Sequence, residues 1–430
     1  MCYMIARRRV CHAVVTLLLL QGAHLPTHAQ RPDSSSAPEI EVYLVTYGPG
    51  RLYWEKFGHN AIWIRDPTRH VDAMFNYGIF DFNQESFLLR FLQGRMLYML
   101  AVQDPQRSFQ TYAANNRSIW IQELNLTGAQ SAALRDFLLW NSAPENRDYR
   151  YDYYLDNCST RVRDALDRAI DGRIRAQTET TQTNTTFRYH TQRLTTANVP
   201  LYTGLLAGLG SPVDRPISVW EEMFIPMLLR DHLRDVTTLD GSGNEVPLVA
   251  SQAVYYESTA EPPLGAPPRW LMWYLAVGVA LAVLLVALGR SGGNAARFLV
   301  ALLAGVWTLL VGFAGLVLAG LWLATDHATS YWNENLFYLT PIAVPLAFLL
   351  PLAVHGVGWV LRPAQWLAAA VAVSSLLGWM AQILPRFDQV NGQLIALVLP
   401  VNLAVWLVLH RASSREQRAG SWRPRVESSP

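Results

Sequence analysis

The stretch that decides the fold reads Tyr153-Tyr154-Leu155-Asp156-Asn157-Cys158-Ser159-Thr160-Arg161. After Cys158 the apolar residues recur at helical spacing, which predicts a helix with one face in the core: Val162, Ala165, Leu166, Ala169 and Ile170. Asp156 and Asn157 are residue types that favour the N-cap position before such a helix. Cys158 is therefore predicted in the first turn, where the helix dipole and unpaired N–H groups stabilise a thiolate.

Cys158 is either a nucleophile or a small buried thiol that anchors its helix, and the second fate is the commoner one for a single cysteine. The other two cysteines, Cys2 and Cys11, lie in a predicted secretory signal. If that signal is removed, Cys158 has no internal disulfide partner. A lone thiol in an oxidising compartment is a liability, so its presence favours a chemical role.

The signal is predicted over residues 1–29. Arg7-Arg8-Arg9 supplies the positive region, Val14 to Leu20 lie in the apolar region, and Thr27-His28-Ala29 precedes Gln30 as a small-residue cleavage site. The apolar run is too short for an ordinary transmembrane helix. These features predict export of the segment that follows.

The chain of 430 residues is 51% hydrophobic and 16% charged, which is too apolar for an ordinary soluble protein. A net charge of +2 without a basic face argues against a nucleic-acid partner. Nearly all long apolar runs follow Trp270. We therefore predict a periplasmic domain (30–261), a Pro-rich linker (262–269), a transmembrane domain (270–410) and a basic cytoplasmic tail (411–430).

The predicted periplasmic domain mixes strands with helices. Strand patterns cover Glu39–Tyr47, Ala61–Ile64, Ala73–Gly78, Leu97–Val102 and Ile119–Leu124. Helices are expected at Ser86–Met96, from the Thr127/Gln130 capping box to Trp140, and from Cys158. The Thr-rich segment Gln177–Thr186 reads as a loop. The pattern predicts an α+β domain with an antiparallel sheet.

Five apolar segments follow the linker and predict an all-α, five-helix transmembrane domain: Trp270–Leu288, Phe298–Ala324, Leu336–Leu361, Trp366–Leu384 and Leu394–Leu409. Arginines gather after the first, third and fifth segments. By the positive-inside rule this bias places the C-terminus in the cytoplasm and the soluble domain outside. The bacterial inner membrane is the expected location.

A thiol nucleophile needs a base, normally a histidine. His59 is the preferred candidate, because Gly58-His59-Asn60 opens a strand and the ring can project from a rigid sheet edge. His59 can equally be a structural histidine. His70, His190 and His232 are expected to be exposed.

A histidine on a strand followed by a cysteine at a helix start is similar to the permuted papain-like enzymes of the NlpC/P60 and lecithin:retinol acyltransferase-like groups. Further motifs resemble the Lnb family, which pairs such a periplasmic domain with a multi-span region and includes lipoprotein N-acyltransferases. These motifs are Tyr47-Gly48-Pro49-Gly50, Phe57-Gly58-His59-Asn60-Ala61, Asn76-Tyr77-Gly78-Ile79-Phe80-Asp81-Phe82, Tyr151-Asp152-Tyr153, Asp156-Asn157-Cys158-Ser159-Thr160-Arg161 and Trp220-Glu221-Glu222-Met223-Phe224.

The resemblance implies Cys158 as nucleophile and His59 as general base, with Asn76 preferred over Asp81 as the third member. Backbone N–H groups at the helix start are expected to form the oxyanion hole, and Asn157 either adds a donor or caps the helix. A helix N-terminus beside a protonated histidine is expected to hold the thiol pKa below about 8.5.

The implied reaction moves an acyl chain from a membrane phospholipid, through a cysteine thioester, to the N-terminal amine of a lipoprotein. No cofactor or metal is implied. Two alternatives stay open: a cell-wall peptidase or amidase using the same pair, and a non-catalytic membrane sensor or assembly factor in which Cys158 is structural.

One loop in the second half has a polar composition, Thr325 to Asn335. It is expected on the outer face, beside the soluble domain. An ordinary interfacial loop with Trp and Tyr is the default interpretation. Asp326, His327 and Asn333 make a second functional site the alternative.

Overall fold

An antiparallel sheet forms the centre of the N-terminal half in the computed structural model of the chain, which describes residues 39–81 and 84–420. The predicted signal peptide lies outside the described residues. The strands are β1 (Glu41–Tyr47), β2 (His59–Asp66), β3 (Val71–Ile79), β4 (Leu97–Gln103), β5 (Ile119–Leu124), β6 (Asp148–Arg150), β7 (Gln182–Thr186), β8 (Pro216–Ser218), β9 (Thr237–Leu239), β10 (Glu245–Pro247) and β11 (Val249–Tyr256). Seven of them form the main sheet, in the order β11-β5-β1-β2-β3-β4-β6.

Nine helices are described before Leu271 in this part of the chain. They are α1 (Phe87–Gln93), α2 (Pro105–Ala114), α3 (Gly128–Asn141), α4 (Cys158–Ala169), α5 (Arg173–Thr178), α6 (Phe187–Thr195), α7 (Val199–Gly208), α8 (Val219–Glu222) and α9 (Pro226–His232). The predicted helices correspond to α1, α3 and α4. The predicted loop Gln177–Thr186 instead contains β7, which pairs with β8.

The sheet lies between two layers of side chains because its strands alternate. Leu44 and Ile62 face a core that includes Val162 of α4. On the other face, Tyr47 packs in a cluster with Phe109 of α2. Helix α4 is thus fixed across the sheet, with its first turn near the start of β2. The α+β class with an antiparallel sheet is as predicted.

The C-terminal half is helical, with α10 (Leu271–Ser291), α11 (Asn294–Ala324), α12 (Ala343–Val354), α13 (Gly358–Ala381) and α14 (Gly392–Gly420). Four of these, α10, α11, α13 and α14, are long and apolar enough to cross a membrane. The expectation of five spanning helices is therefore wrong. The third segment, Leu336–Leu361, forms no single helix.

Backbone chemistry explains the break in the third segment. Pro341 disfavours helical backbone at Thr340, so α12 begins only after that turn. Gly356 has a φ of +87° and ends the helix after Val354. The result is a helix of 12 residues, about 18 Å long at 1.5 Å per residue, well short of the hydrocarbon thickness of about 30 Å.

Helix α7 joins the sheet domain to the helical half. The side-chain amides of Asn333 and Asn335 donate to backbone carbonyls at the end of α7. Tyr202 of α7 donates its hydroxyl hydrogen to Gln393 at the start of α14, with 2.8 Å between the oxygens. The described residues from Glu39 onward belong to one compact unit, so these contacts hold the two halves together.

Candidate active site

Cys158 is the first residue of α4, as predicted from the N-cap types before it. Asn157 is the N-cap, and its Oδ1 accepts hydrogen bonds from the backbone N–H groups of Ser159 (2.8 Å) and Thr160 (3.0 Å). Its Nδ2 donates to the carbonyls of Tyr153 and Phe224. All donors and acceptors of this amide are thus occupied, so Asn157 caps the helix and is not a free oxyanion donor.

The segment before the cap is folded by its own polar side chains. Asp152 Oδ1 accepts from the backbone N–H groups of Tyr154 and Leu155, each at 2.9 Å. Asp156 pairs with Arg161 one turn into α4. These local bonds explain why the quoted stretch is rich in Asp, Asn and Arg around the cysteine.

His59 begins β2, and its Nε2 lies 3.2 Å from Oδ1 of Asn76 on β3. The Asn76 Nδ2 group donates to Gln103 Oε1 on β4 at 3.1 Å. This second bond orients the amide so that its oxygen faces the imidazole, which therefore donates from Nε2. In that tautomer the other ring nitrogen, Nδ1, carries no hydrogen and can accept a proton.

The hydroxyl of Ser159 holds the start of α4 beside the strand that carries His59. The Ser159 hydroxyl lies 2.8 Å from Asn60 Oδ1 and 2.6 Å from the Met223 carbonyl. The neighbours of Cys158 and His59 therefore touch. Gly78, with a φ of +84°, lets β3 approach so closely that an added Cβ would lie 3.0 Å from the Cβ of Cys158. A side chain at position 78 would displace the cysteine.

Both members of the pair are held neutral. Burial raises the pKa of the Cys158 thiol to about 11, although backbone N–H groups of Asn60, Ser159 and Cys158 and the charge of Arg117 oppose the rise. Burial and Arg117 lower the pKa of His59 to about 4, against the opposing effect of its hydrogen bond to Asn76. The expectation of a thiol pKa below 8.5 is therefore reversed, because burial outweighs the helix terminus.

Arg117 is a buried cation close to this pair, and no sequence pattern predicted its role. Its Nε donates to the Gly48 carbonyl at 2.8 Å, and its Nη1 lies 3.3 Å from Glu55 Oε1. Its guanidinium stands over the ring of Tyr112, which stacks in turn against Tyr47. The motif residues Tyr47 and Gly48, together with Glu55, thus position a positive charge near the thiol and the imidazole.

The Trp220–Phe224 motif supports the start of α4, because the carbonyls of Met223 and Phe224 accept hydrogen bonds from Ser159 and Asn157. The Glu222 side chain in turn holds the motif. Glu222 accepts from His190 Nε2 and His232 Nε2, each at 2.8 Å. His190 is only 3% exposed, so its predicted exposure is wrong. Burial alone would raise the pKa of Glu222, but its two histidine partners hold it well below its usual value.

Asp81 and the outer-loop residues Asp326 and Asn333 have no described contact with Cys158 or His59. Asp81 is an exposed residue beyond the end of β3, whereas the imidazole hydrogen bond goes to Asn76. Asp326 pairs with Arg95 and Arg150, and Asn333 binds the end of α7. These loop residues join the two halves.

His327 contacts the sheet domain in the same way. Its Nε2 lies 3.2 Å from the Phe91 carbonyl, and its ring stacks on Tyr153. Across residues 39–81 and 84–420, no group of three or more His, Cys, Asp or Glu side chains could hold a metal ion.

Residues 29–194 match a family model described as the Lnb N-terminal periplasmic domain. The matched range contains Cys158, His59, Asn76 and Arg117, so this part of the chain is similar to the periplasmic domain of Lnb proteins. Neither a search of curated proteins nor a search of solved structures finds a match. The permuted papain-like fold thus stays a prediction.

Proposed function

We propose that this chain is a membrane-bound thiol acyltransferase. It moves an acyl chain from a glycerophospholipid, through a thioester on Cys158, to the N-terminal amine of a bacterial lipoprotein. The observation that carries the proposal is the juxtaposition of Cys158, at the start of α4, with the oriented His59–Asn76 pair. The match to a periplasmic Lnb domain and the four apolar helices support an inner-membrane enzyme facing the periplasm.

The first half-reaction starts from a neutral thiol and a neutral imidazole. As the Cys158 sulfur attacks the ester carbonyl, His59 Nδ1 accepts the thiol proton. Collapse of the tetrahedral intermediate breaks the ester C–O bond, and the imidazolium returns the proton to the departing lysolipid oxygen. The product on the enzyme is a thioester.

The second half-reaction reverses these roles. The acceptor amine attacks the thioester carbonyl, a C–N bond forms, and the C–S bond breaks. His59 takes the proton of the amine and passes it to the departing sulfur, which restores the thiol. The pair thus serves both halves without a cofactor.

In both half-reactions, negative charge develops on the carbonyl oxygen and must be stabilised by hydrogen-bond donors. The N–H groups of Ser159 and Thr160 are occupied by the cap, which leaves the N–H groups of Cys158 and Asn60 beside the thiol. We assign the oxyanion hole to these two groups. One comes from the helix start and the other from β2, so packing of α4 on the sheet assembles the hole.

The proposal is tested by N-terminal acylation of a lipoprotein in cells that lack any other N-acyltransferase. Cys158→Ala should abolish acylation, and His59→Ala should slow it by about 10²–10⁴-fold, the usual effect of losing a positioned general base. Membrane abundance and thermal unfolding of each variant serve as controls. Normal lipoprotein acylation in cells whose Cys158→Ala protein is folded would overturn the proposal. A purified protein that cleaves peptidoglycan peptides but forms no acyl-enzyme with phospholipid would also overturn it.

A further inference from the structure

Helix α1 exposes its apolar side chains instead of burying them. Leu88, Leu89, Phe91 and Leu92 are 67%, 54%, 43% and 56% exposed, and no residue of the helix is buried. Their spacing places Leu88, Phe91 and Leu92 on one face, while Arg90 lies on the other side. In a water-soluble domain such a helix would turn this face inward.

The end of α1 is fastened to the loop that follows α11. The Asp326 N–H donates to the Gln93 carbonyl at 2.8 Å. The Asp326 carboxylate lies 2.7 Å from Arg95 and 2.8 Å from Arg150, the residues beside and across from the helix end. Gly94 ends α1 with a φ of +70°, and an added Cβ there would lie 3.0 Å from the Asp326 backbone.

This attachment point lies at the edge of the apolar surface of the helical half. Helix α11 ends at Ala324, only two residues before Asp326, and its Leu323 is 82% exposed. The rings of Trp322 and Trp332 lie 5.1 Å apart at the same end. Tryptophans are enriched at the interface between lipid and water, and α1 is attached to the same end of α11.

We propose that α1 lies in the interfacial region of the periplasmic leaflet, with Leu88, Leu89, Phe91 and Leu92 in contact with lipid. The occupant of this face is the bilayer, because the face continues the apolar surface of α11. Interfacial helices bind by burying an apolar face at the boundary between headgroups and acyl chains. The fold thus has a lipid contact outside its long helices.

Aromatic rings lie between α1 and the cluster that includes Cys158: His327 contacts the Phe91 carbonyl of α1, and Tyr98, Tyr151 and Cys158 pack against the same buried cluster. Tyr98, on the strand after α1, stacks on Tyr151 at 4.0 Å between ring centroids. Tyr151 meets Tyr153 edge-on at 5.8 Å, and Tyr153 stacks on His327 at 6.4 Å. Resting on the proposed function, we assign this apolar row as the route by which an acyl chain reaches the thiol from the bilayer.

The position of α1 is tested with spin labels on the full-length protein in phospholipid nanodiscs. A Cys158→Ala background removes the one cysteine among the described residues, and a label is then attached through Leu89→Cys. The control label uses Leu139→Cys, at a 40% exposed leucine on α3. The Leu89 label should collide with oxygen in preference to an aqueous nickel chelate, and the Leu139 label should show the reverse. Equal, water-like accessibility at both positions would overturn the proposal.

The acyl route is tested by thioester formation on otherwise native protein. Leu89→Asp and Leu88→Asp should slow acylation by bilayer phospholipid about tenfold and leave acylation by a monomeric short-chain phospholipid unchanged, and Leu139→Asp should affect neither. Equal rates for all variants on bilayer lipid would overturn the route. If the wild-type protein forms no thioester with either lipid, the proposed function fails, while the label experiment still decides where α1 lies.

Discussion

At Cys158, burial and charge act on the thiol in opposite directions, and Arg117 supplies part of the charge. Removing the guanidinium with Arg117→Met should raise the pKa of Cys158 further above about 11, because Arg117 lowers it. The same change should raise the pKa of His59 from about 4 towards its ordinary value, because Arg117 also lowers that pKa.

Alkylation of Cys158 followed against pH measures the first shift, and the acid limb of the rate of thioester formation measures the second. The matched control is Arg117→Lys, which keeps the charge. A wild-type alkylation midpoint below about 8.5 would contradict the neutral pair and restore the thiolate expected from a helix N-terminus alone.

A second set of variants tests whether Asn76 or Asp81 orients His59. Asn76→Ala removes the acceptor that orients the His59 ring and should reduce the rate of thioester formation about tenfold or more. Asn76→Asp keeps an acceptor and adds a negative charge, so it should raise the pKa of His59 and move the acid limb to higher pH. Asp81→Ala should leave both unchanged. Loss of activity in Asp81→Ala, with Asn76→Ala unaffected, would reverse the assignment.

Parts of this site follow from local sequence and parts do not. The N-cap at Asn157 and the strand at His59 depend on neighbours a few residues away, so residue types predicted them. Gln103, which accepts from Asn76, and Arg117, just before β5, come near His59 only because strands far apart in the chain pair in one register. A single sequence does not specify that register, and both residues were missed.

At the scale of elements, Glu222 connects α8 to α6 and α9, and the adjoining carbonyls of Met223 and Phe224 hold the start of α4. Glu222→Gln leaves one buried N–H group facing another and should lower the free energy of unfolding by about 3 kcal/mol at pH 7. Thermal unfolding of the full-length protein in detergent, followed by tryptophan fluorescence, measures the change.

The destabilisation by Glu222→Gln should depend on pH. The pKa of Glu222 is held below its usual value in the folded state, so its carboxylate stabilises the fold above the unfolded pKa and this stability is lost as pH falls through the folded pKa. The difference between wild type and Glu222→Gln should thus shrink below about pH 4.5. Glu221→Gln, at the neighbouring and more exposed carboxylate, should cost at most about 1 kcal/mol. A pH-independent difference for Glu222→Gln would contradict the account.

The boundaries of α12 show why counting apolar residues predicted a spanning helix wrongly at the third segment. The count of apolar residues between Leu336 and Leu361 resembles that of a spanning helix, but it ignores the backbone. Pro341 and Gly356 divide the segment, and their effect on φ, ψ and N–H donors decides the outcome. The four other segments overlap the four long apolar helices, although α13 begins at Gly358, inside the predicted third segment.

At the scale of the whole molecule, the segments before α12 and after α13 show that α12 and α13 run in opposite directions through the helical half. Gln382 at the end of α13 donates to Glu334, before α12, so these residues share one end of the helical half. Helix α13 has 24 residues and begins four residues after α12 ends. The segment with the short α12 therefore travels the length of α13, although it is not one long helix.

This path predicts that the chain beyond Arg411 lies in the cytoplasm, as the arginine bias also indicates. A reporter fused after Pro430 should be active only in the cytoplasm, and one inserted in the loop before α12 should be active only in the periplasm. Periplasmic activity of the C-terminal fusion would contradict this topology.

The central claim, that Cys158 carries an acyl group taken from phospholipid, is tested most directly by intact-protein mass spectrometry. The full-length enzyme is incubated with phospholipid vesicles and no acceptor. The wild-type protein should gain the mass of one acyl chain, and neutral hydroxylamine should remove it, while Cys158→Ala should gain nothing. A wild-type protein that never acquires this mass, or an equal adduct on Cys158→Ala, would contradict the claim.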